Sequence, residues 1–148
     1  MRARDAARLI FIVVALLAGG VTAQADPPKP AKERLLSRVC ELIEVHAERA
    51  DLPKEFFARL IWKESRFDPG AVSPVGAEGI AQFMPGTAKM RGLADSFDIE
   101  QAIPASARYL GELKTSFGNL GLAAAAYNAG ENRVSRWLQS GGLLPLET

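Results

Sequence analysis

Glu64 stands in the run Ile61-Trp62-Lys63-Glu64-Ser65-Arg66-Phe67, directly before Asp68-Pro69-Gly70. The run reads as the end of an amphipathic helix breaking into a loop, because Asp-Pro-Gly punctuates a chain strongly. A carboxylate there faces the negative end of the helix dipole, and apolar neighbours such as Trp62 and Phe67 disfavour its charged form. Both effects keep the acid protonated toward neutral pH, the state a general acid requires. Asp68 and Glu78 are the nearby acids. Asp68 lies in a Pro-Gly turn and is accounted for by holding that turn. Glu78 lies in a Gly-rich loop, where solvation accounts for it. One candidate carboxyl therefore remains, against the competing reading of a solvated helix glutamate.

Three segments are unlike ordinary helical filler: Glu64 to Pro69 with Ala71 to Pro74, Gly76 to Pro85, and Ala126-Tyr127-Asn128-Ala129-Gly130. Each sits at a helix end or in a Gly-rich loop, where side chains and bare amides reach a ligand. The elements around them read as helices. Ala31 to Ala50 carries Leu35, Leu36, Val39, Leu42, Ile43 and Ala47 at three- and four-residue steps. Cys40 on this helix reads as a small core hydrophobe and His46 as a boundary residue. The next helix opens at Asp51-Leu52-Pro53, with the cap at Asp51 or Leu52 and Pro53 in the first turn. It buries Phe56, Phe57, Leu60 and Ile61. Phe67 to Gly79 is loop, Gly79 to Met84 a short helix or turn, and Pro85 to Met90 another helical turn. Asp98 is an N-cap. Pro104 is expected to kink the helix after that cap, so the regular part runs from Pro104 to about Phe117 and ends at Gly118. Asn119 caps Leu120 to Asn128, which Gly130 stops. Glu131 to Gln139 is the last helix, with Val134, Trp137 and Leu138 inward. Two-residue alternation, repeats and low-complexity stretches are absent. The pattern is all-α, one compact domain of about six short helices.

The 148 residues fit a single domain, and 48% apolar with 24% charged residues is a globular balance. The net charge is +1 with no basic stripe, which removes nucleic acid as a partner. One cysteine excludes an intramolecular disulfide, and one histidine near it makes no metal site. No cofactor is implied. Residues 1–25 have the form of a secretory signal peptide: Arg2, Arg4 and Arg8, an apolar run from Leu9 to Val21, and small residues at Ala23 and Ala25. The apolar run is 13 residues, short of the ~20 needed to span a bilayer. Residues 26–31 then form a stiff Pro-rich leader, and residues 32–148 the domain. The reading places the mature protein in the periplasm or cell envelope.

In order and spacing the three segments resemble the soluble lytic transglycosylase domain of the lysozyme-like superfamily, over roughly Arg34 to Pro145. The family's Glu-Ser is Glu64-Ser65. Its Gly-Leu-Met-Gln stands as Gly79-Ile80-Ala81-Gln82, with Ala81 for Met, a departure expected to shrink a groove contact. Its Met-Pro-x-Thr-Ala is Met84 to Ala88, and its Ala-Tyr-Asn-Ala-Gly is Ala126 to Gly130. The resemblance implies a mainly α, lysozyme-like fold with a loop-built glycan groove. It also implies cleavage of peptidoglycan between N-acetylmuramic acid and N-acetylglucosamine, with Glu64 as acid and then base and closure of a 1,6-anhydro ring. Substrate contacts fall on Ser73, Gln82, Phe83, Met84, Tyr127 and Asn128. Gln82 and Asn128 both donate and accept, which suits acetamido and hydroxyl groups. The Tyr127 hydroxyl is expected to bond Glu64 or the N-acetyl carbonyl, and Trp62 and Trp137 to pack. Competing readings are a hydrolytic, goose-type-like lysozyme and a non-catalytic peptidoglycan-binding accessory. Expected partners are glycan strands, acted on by a monomer, with a cell-envelope or secretion-machinery partner. The ending at Leu144 to Thr148 reads as a C-terminally truncated domain, because relatives continue with a Tyr-containing segment.

Overall fold

The computed structural model describes residues 30–141. The expected signal peptide, residues 26–29 of the leader and the tail lie outside that range. Six helices are described: α1 (Ala31–Arg49), α2 (Lys54–Ser65), α3 (Pro85–Met90), α4 (Ile99–Phe117), α5 (Leu120–Ala129) and α6 (Glu131–Ser140). Between α2 and α3 the chain makes only isolated bridges, Val72 with Glu78 and Glu78 with Phe83. The mainly helical expectation holds, and no described helix is long and apolar enough to cross a membrane.

Helix α4 is the centre. It buries Ala102 to Ala107, Tyr109, Leu110 and Leu113, and packs against α1 on one side and α5 on the other. α1 supplies Val39, Leu42, Ile43 and Ala47, and α2 supplies Phe57, Leu60 and Ile61. α5 buries Ala123, Ala125 and Ala126, whose small side chains let it lie close to α4. Caps set the register. The Asp98 carboxylate accepts from Glu100 N (2.9 Å), and the Asn119 side chain accepts from Leu122 N (2.8 Å). Gly118 closes α4 at φ 78°. Arg38 of α1 grips Glu100 of α4 through two bonds of 2.6 Å.

Several local expectations are corrected. α4 does not begin at Pro104 but runs through it. The ring removes one donor to the Glu100 carbonyl, and burial of the segment around it outweighs that loss. Asp51 does not cap α2. It sits at φ 52° and its carboxylate takes Lys114 Nζ at 2.7 Å, while Pro53 occupies the cap position. Cys40 is exposed, because the buried stripe of α1 passes through Val39, Leu42 and Ile43 beside it. In α6 the inward face is narrower than expected: Val134 is buried, Trp137 is half-buried and Leu138 is 45% exposed. Of the two forms expected for Gly79 to Met84, a short helix or a turn, the chain takes the turn, closed by Glu78 N to Phe83 O at 2.9 Å and Phe83 N to Glu78 O at 3.0 Å.

Candidate active site

Glu64 is the penultimate residue of α2. The helix stops abruptly because Arg66 and Phe67 take left-handed backbone angles, φ 56° and 65°, uncommon for side chains of this size. Such strain persists only where surrounding structure over-determines it. Here Ser65 Oγ donates to the Ile80 carbonyl at 2.7 Å, which ties the helix end to the loop after it. That loop is itself anchored. Gly79 N donates to Ala71 O (2.8 Å), and Gly79, at φ 72°, lies so close to Ser96 that a Cβ would stand 1.7 Å from its carbonyl oxygen.

The anchored loop, the end of α2 and the end of α5 enclose a chamber of about 440 Å³. Glu64, Ser73, Gln82, Phe83, Met84, Tyr127 and Asn128 all line it, so the structure brings every expected site residue to one cavity. Glu64 and Asn128 also line a second chamber, of about 410 Å³, floored by Phe56, Leu60, Ala124 and Ala125. The carboxyl therefore sits at the partition of a longer cleft. Among the described residues no other carboxylate lines either chamber. Asp68 is occupied in its turn, accepting from Gly70 N at 2.9 Å, and Glu78 faces a different pocket, beside Lys89 and Phe97.

Glu64 is largely buried, and its Oε1 is shielded from solvent with no hydrogen-bond partner. Desolvation raises its pKa from 4.5 to about 7, and the charge of Lys63 opposes this only weakly. The apolar surroundings are not those expected from the sequence. Trp62 and Phe67 pack edge to face on each other at 5.3 Å, and neither lines a Glu64 chamber. Trp62 is 52% exposed. The walls of the cleft desolvate the acid instead.

The polar residues are more committed than their types suggest. The Tyr127 hydroxyl does not bond Glu64. It donates to the Ala81 carbonyl (2.9 Å) and shares a bond with Ser106 Oγ (2.9 Å), which must therefore be the donor to it. Burial pushes the Tyr127 pKa up, against the Ser106 hydroxyl, so the phenol stays neutral. Gln82, at φ 50°, gives its amide N–H groups to Gly79 O (2.9 Å) and Ala71 O (3.3 Å). Asn128 Nδ2 donates to Ala124 O at 3.0 Å. Each amide is left with its oxygen for a ligand. Ser73 Oγ accepts from Ala77 N at 2.9 Å and keeps its proton to donate. Phe83 is buried beneath the chamber and Met84 forms its exposed rim. Ala81 is fully buried and lines neither chamber, so its departure from Met alters the core rather than the cleft.

Tyr109 and Ser106 contribute to the site from outside the three motif segments. Tyr109 forms a chamber wall, packing against Phe83 and Tyr127 with ring centroids at 6.5 and 5.2 Å. Ser106 is fully buried and orients Tyr127. Its one signal in the sequence is a hydroxyl three residues after Ile103, on the apolar face of α4.

A family model for the transglycosylase SLT domain matches residues 41–144. The membrane-bound lytic murein transglycosylase F of Desulfosudis oleivorans is 37% identical over 106 residues, covering 67% of this chain and 23% of that protein. The crystal structure of the 70 kDa soluble lytic transglycosylase from Escherichia coli superposes with a TM-score of 0.60 at 33% identity, over 67% of this chain and 18% of that one. The lytic transglycosylase Slt from Pseudomonas aeruginosa, solved as an inactive Glu→Gln mutant, gives 0.61 at 35% identity over 70% of this chain and 19% of that one. The chain thus spans about a fifth of the length of the relatives it matches.

Proposed function

The chain belongs to the transglycosylase SLT domain family, and from that premise we propose that it is an exported peptidoglycan lytic transglycosylase whose acid and base are both Glu64. The observation that carries the proposal is a carboxyl with a pKa of about 7, alone among the described acids in a two-chambered cleft. A hydrolytic glycosidase commonly employs two carboxyl groups, one for each half of the reaction. A single group suffices when the nucleophile belongs to the substrate. The relative inactivated by a Glu→Gln change supports the same assignment.

The glycan lies across the partition, with the muramic acid on one side of Glu64 and the glucosamine on the other. Glu64 starts protonated and gives its proton to the bridging O4 as the C1–O4 bond breaks. The muramic N-acetyl oxygen shields the developing cation at C1. Glu64, now a carboxylate, takes the proton of the C6 hydroxyl while O6 bonds to C1. The 1,6-anhydro ring closes, the acid is regenerated and no water is consumed. A pKa near 7 suits a group that must give and regain one proton. The Ser73 hydroxyl and the free amide oxygens of Gln82 and Asn128 contact acetamido and hydroxyl groups. Met84 packs on a sugar face above the buried Phe83. The Tyr127 hydroxyl acts through Ala81, holding the loop rather than touching substrate.

Mass analysis of muropeptides released from sacculi by the chain from Asp26 onward tests this. Anhydro products lost in Glu64→Gln are expected. Products heavier by one water indicate a hydrolase, and sacculi bound but not cut indicate an accessory.

A further inference from the structure

Ser106 has a partner that its own helix does not provide. It lies on the buried face of α4 at 0% exposure, the more enclosed of the two buried polar side chains, Ser96 and Ser106, among the described residues. A serine in mid-helix commonly turns its hydroxyl back to the carbonyl one turn before it. Ser106 instead reaches across to Tyr127 of α5, Oγ to hydroxyl at 2.9 Å. Tyr127 gives its own proton to the Ala81 carbonyl at 2.9 Å. The carbonyl before that one, of Ile80, takes Ser65 Oγ at 2.7 Å. Ile80 and Ala81 are both fully buried, and among the described residues neither carbonyl accepts from a backbone N–H. Two hydroxyls, one next to Glu64 in the chain and one next to Asn128, therefore supply the bonds that the turn itself cannot.

The second of these bonds governs Gln82. Ala81 and Gln82 share a peptide plane, so turning the Ala81 carbonyl also turns φ of Gln82. That φ is 50°, in the left-handed region that a long side chain seldom occupies. Such a conformation persists only where neighbours impose it. In it the Gln82 amide nitrogen meets Gly79 O at 2.9 Å and Ala71 O at 3.3 Å, and the side chain lines the Glu64 chamber. The phenol holds the Ala81 carbonyl more firmly when its oxygen accepts from Ser106, because donation into a hydroxyl strengthens the bond that hydroxyl gives. We infer that Ser106 is a positioning residue: through Tyr127 and the Ala81 carbonyl it keeps Gln82 in the conformation that presents its amide oxygen to the glycan. Ser106 lines neither chamber and touches no substrate itself. The inference rests on the peptidoglycan reading above for its substrate.

Ser106→Ala removes the hydroxyl and keeps the space filled. Its rates on sacculi are compared with those of the full wild-type chain over a range of sacculus concentrations, with folding checked by circular dichroism. KM is expected to rise about tenfold at nearly unchanged kcat, the contribution of one hydrogen bond to bound substrate. A loss of folded protein lowers kcat and leaves KM, so that result overturns the inference, as does an unchanged pair of constants. Ser106→Thr restores the hydroxyl and should return KM toward the wild-type value; a KM that stays high overturns the inference. In a Tyr127→Phe background, Ser106→Ala should raise KM no further, because its route to Gln82 is already cut; a second rise of similar size overturns it. Tyr127→Phe alone, which keeps the ring, carries the same expectation on KM if Ser106→Ala does not fold. The HN–Hα coupling of Gln82, measured by NMR, reads its φ with no substrate present. A changed coupling in Ser106→Ala supports the route even if the wild type cuts no sacculi, and an unchanged one overturns it.

Discussion

Replacing Glu64 by glutamine changes stability in a way that depends on pH, and that dependence measures the state of the buried acid without any substrate. Below about pH 4.5 the carboxyl is protonated both folded and unfolded, and the two proteins differ only by a constant. Between 4.5 and about 7 the unfolded chain loses the proton while the folded chain keeps it. The folded state then binds more protons, so stability falls as pH rises. Above about 7 both states are ionised and the penalty is constant. The interval corresponds to about 3 kcal/mol at 1.36 kcal/mol per pH unit, which solvent in the open cleft reduces to about 1–2 kcal/mol. Glutamine carries no such penalty. Urea melts of both proteins at about pH 4 and about pH 8 should therefore show Glu64→Gln gaining about 1–2 kcal/mol on the wild type between the two. In thermal melts the relative gain is about 4–8 °C. Only the change in the difference matters, because a buried amide brings its own pH-independent cost. Parallel curves, or a relative loss by the glutamine variant at the higher pH, would refute the claim that burial holds this acid protonated.

Tyr127→Phe removes a hydroxyl that serves both Ser106 Oγ and the Ala81 carbonyl. It should cost about 1–3 kcal/mol in chemical denaturation. Adding Ser106→Ala should cost less than its effect alone, because the two act through one bond; additive losses would show that the pair is not coupled. Gly79→Ala places a methyl against the Ser96 carbonyl in a backbone region that favours glycine. A loss of about 2–4 kcal/mol is expected, and a melt within experimental error of wild type would show that the loop is not held as described.

Short-range signals mark both ends of α4 and the start of α5. Asp98, Asn119 and Gly118 act within one turn of themselves, and each performs the capping role its type suggests. Signals that depend on what lies across the core do not. Pro104 breaks an isolated helix, yet α4 is buried on so many sides that the missing bond does not stop it. Cys40 lies one residue from Val39, and whether it is buried depends on the width of the stripe, which packing partners decide. The same division runs through the site. The motifs bring the expected residues to one chamber, because they lie on loops and helix ends that face it. Which atoms of those residues remain free is not legible in the chain. The Tyr127 hydroxyl is claimed by Ser106 and Ala81, residues 21 and 46 positions away. Nothing in the residue types of Gln82 or Asn128 reveals that their amide nitrogens are already bonded to backbone.

Those commitments explain why Glu64 can stay without a partner. A tyrosine hydroxyl or a glutamine amide free to turn toward Oε1 would donate to the carboxylate and lower its pKa. Here each of those donors is bound to a carbonyl, and the bonds that hold the loop together keep the donors from the acid. The cations follow the same logic. Arg59 and Lys63 line the chamber on one side of Glu64, the arginines near Tyr109 lie beyond the other, and neither group forms an ion pair with it. A guanidinium in contact with Glu64 would hold it ionised and unable to protonate a glycosidic oxygen. The cleft thus presents positive charge at its margins and a neutral, desolvated carboxyl at its partition, the arrangement that the proposed reaction requires. The loss of stability expected on ionising Glu64 is the cost of keeping that carboxyl unpaired.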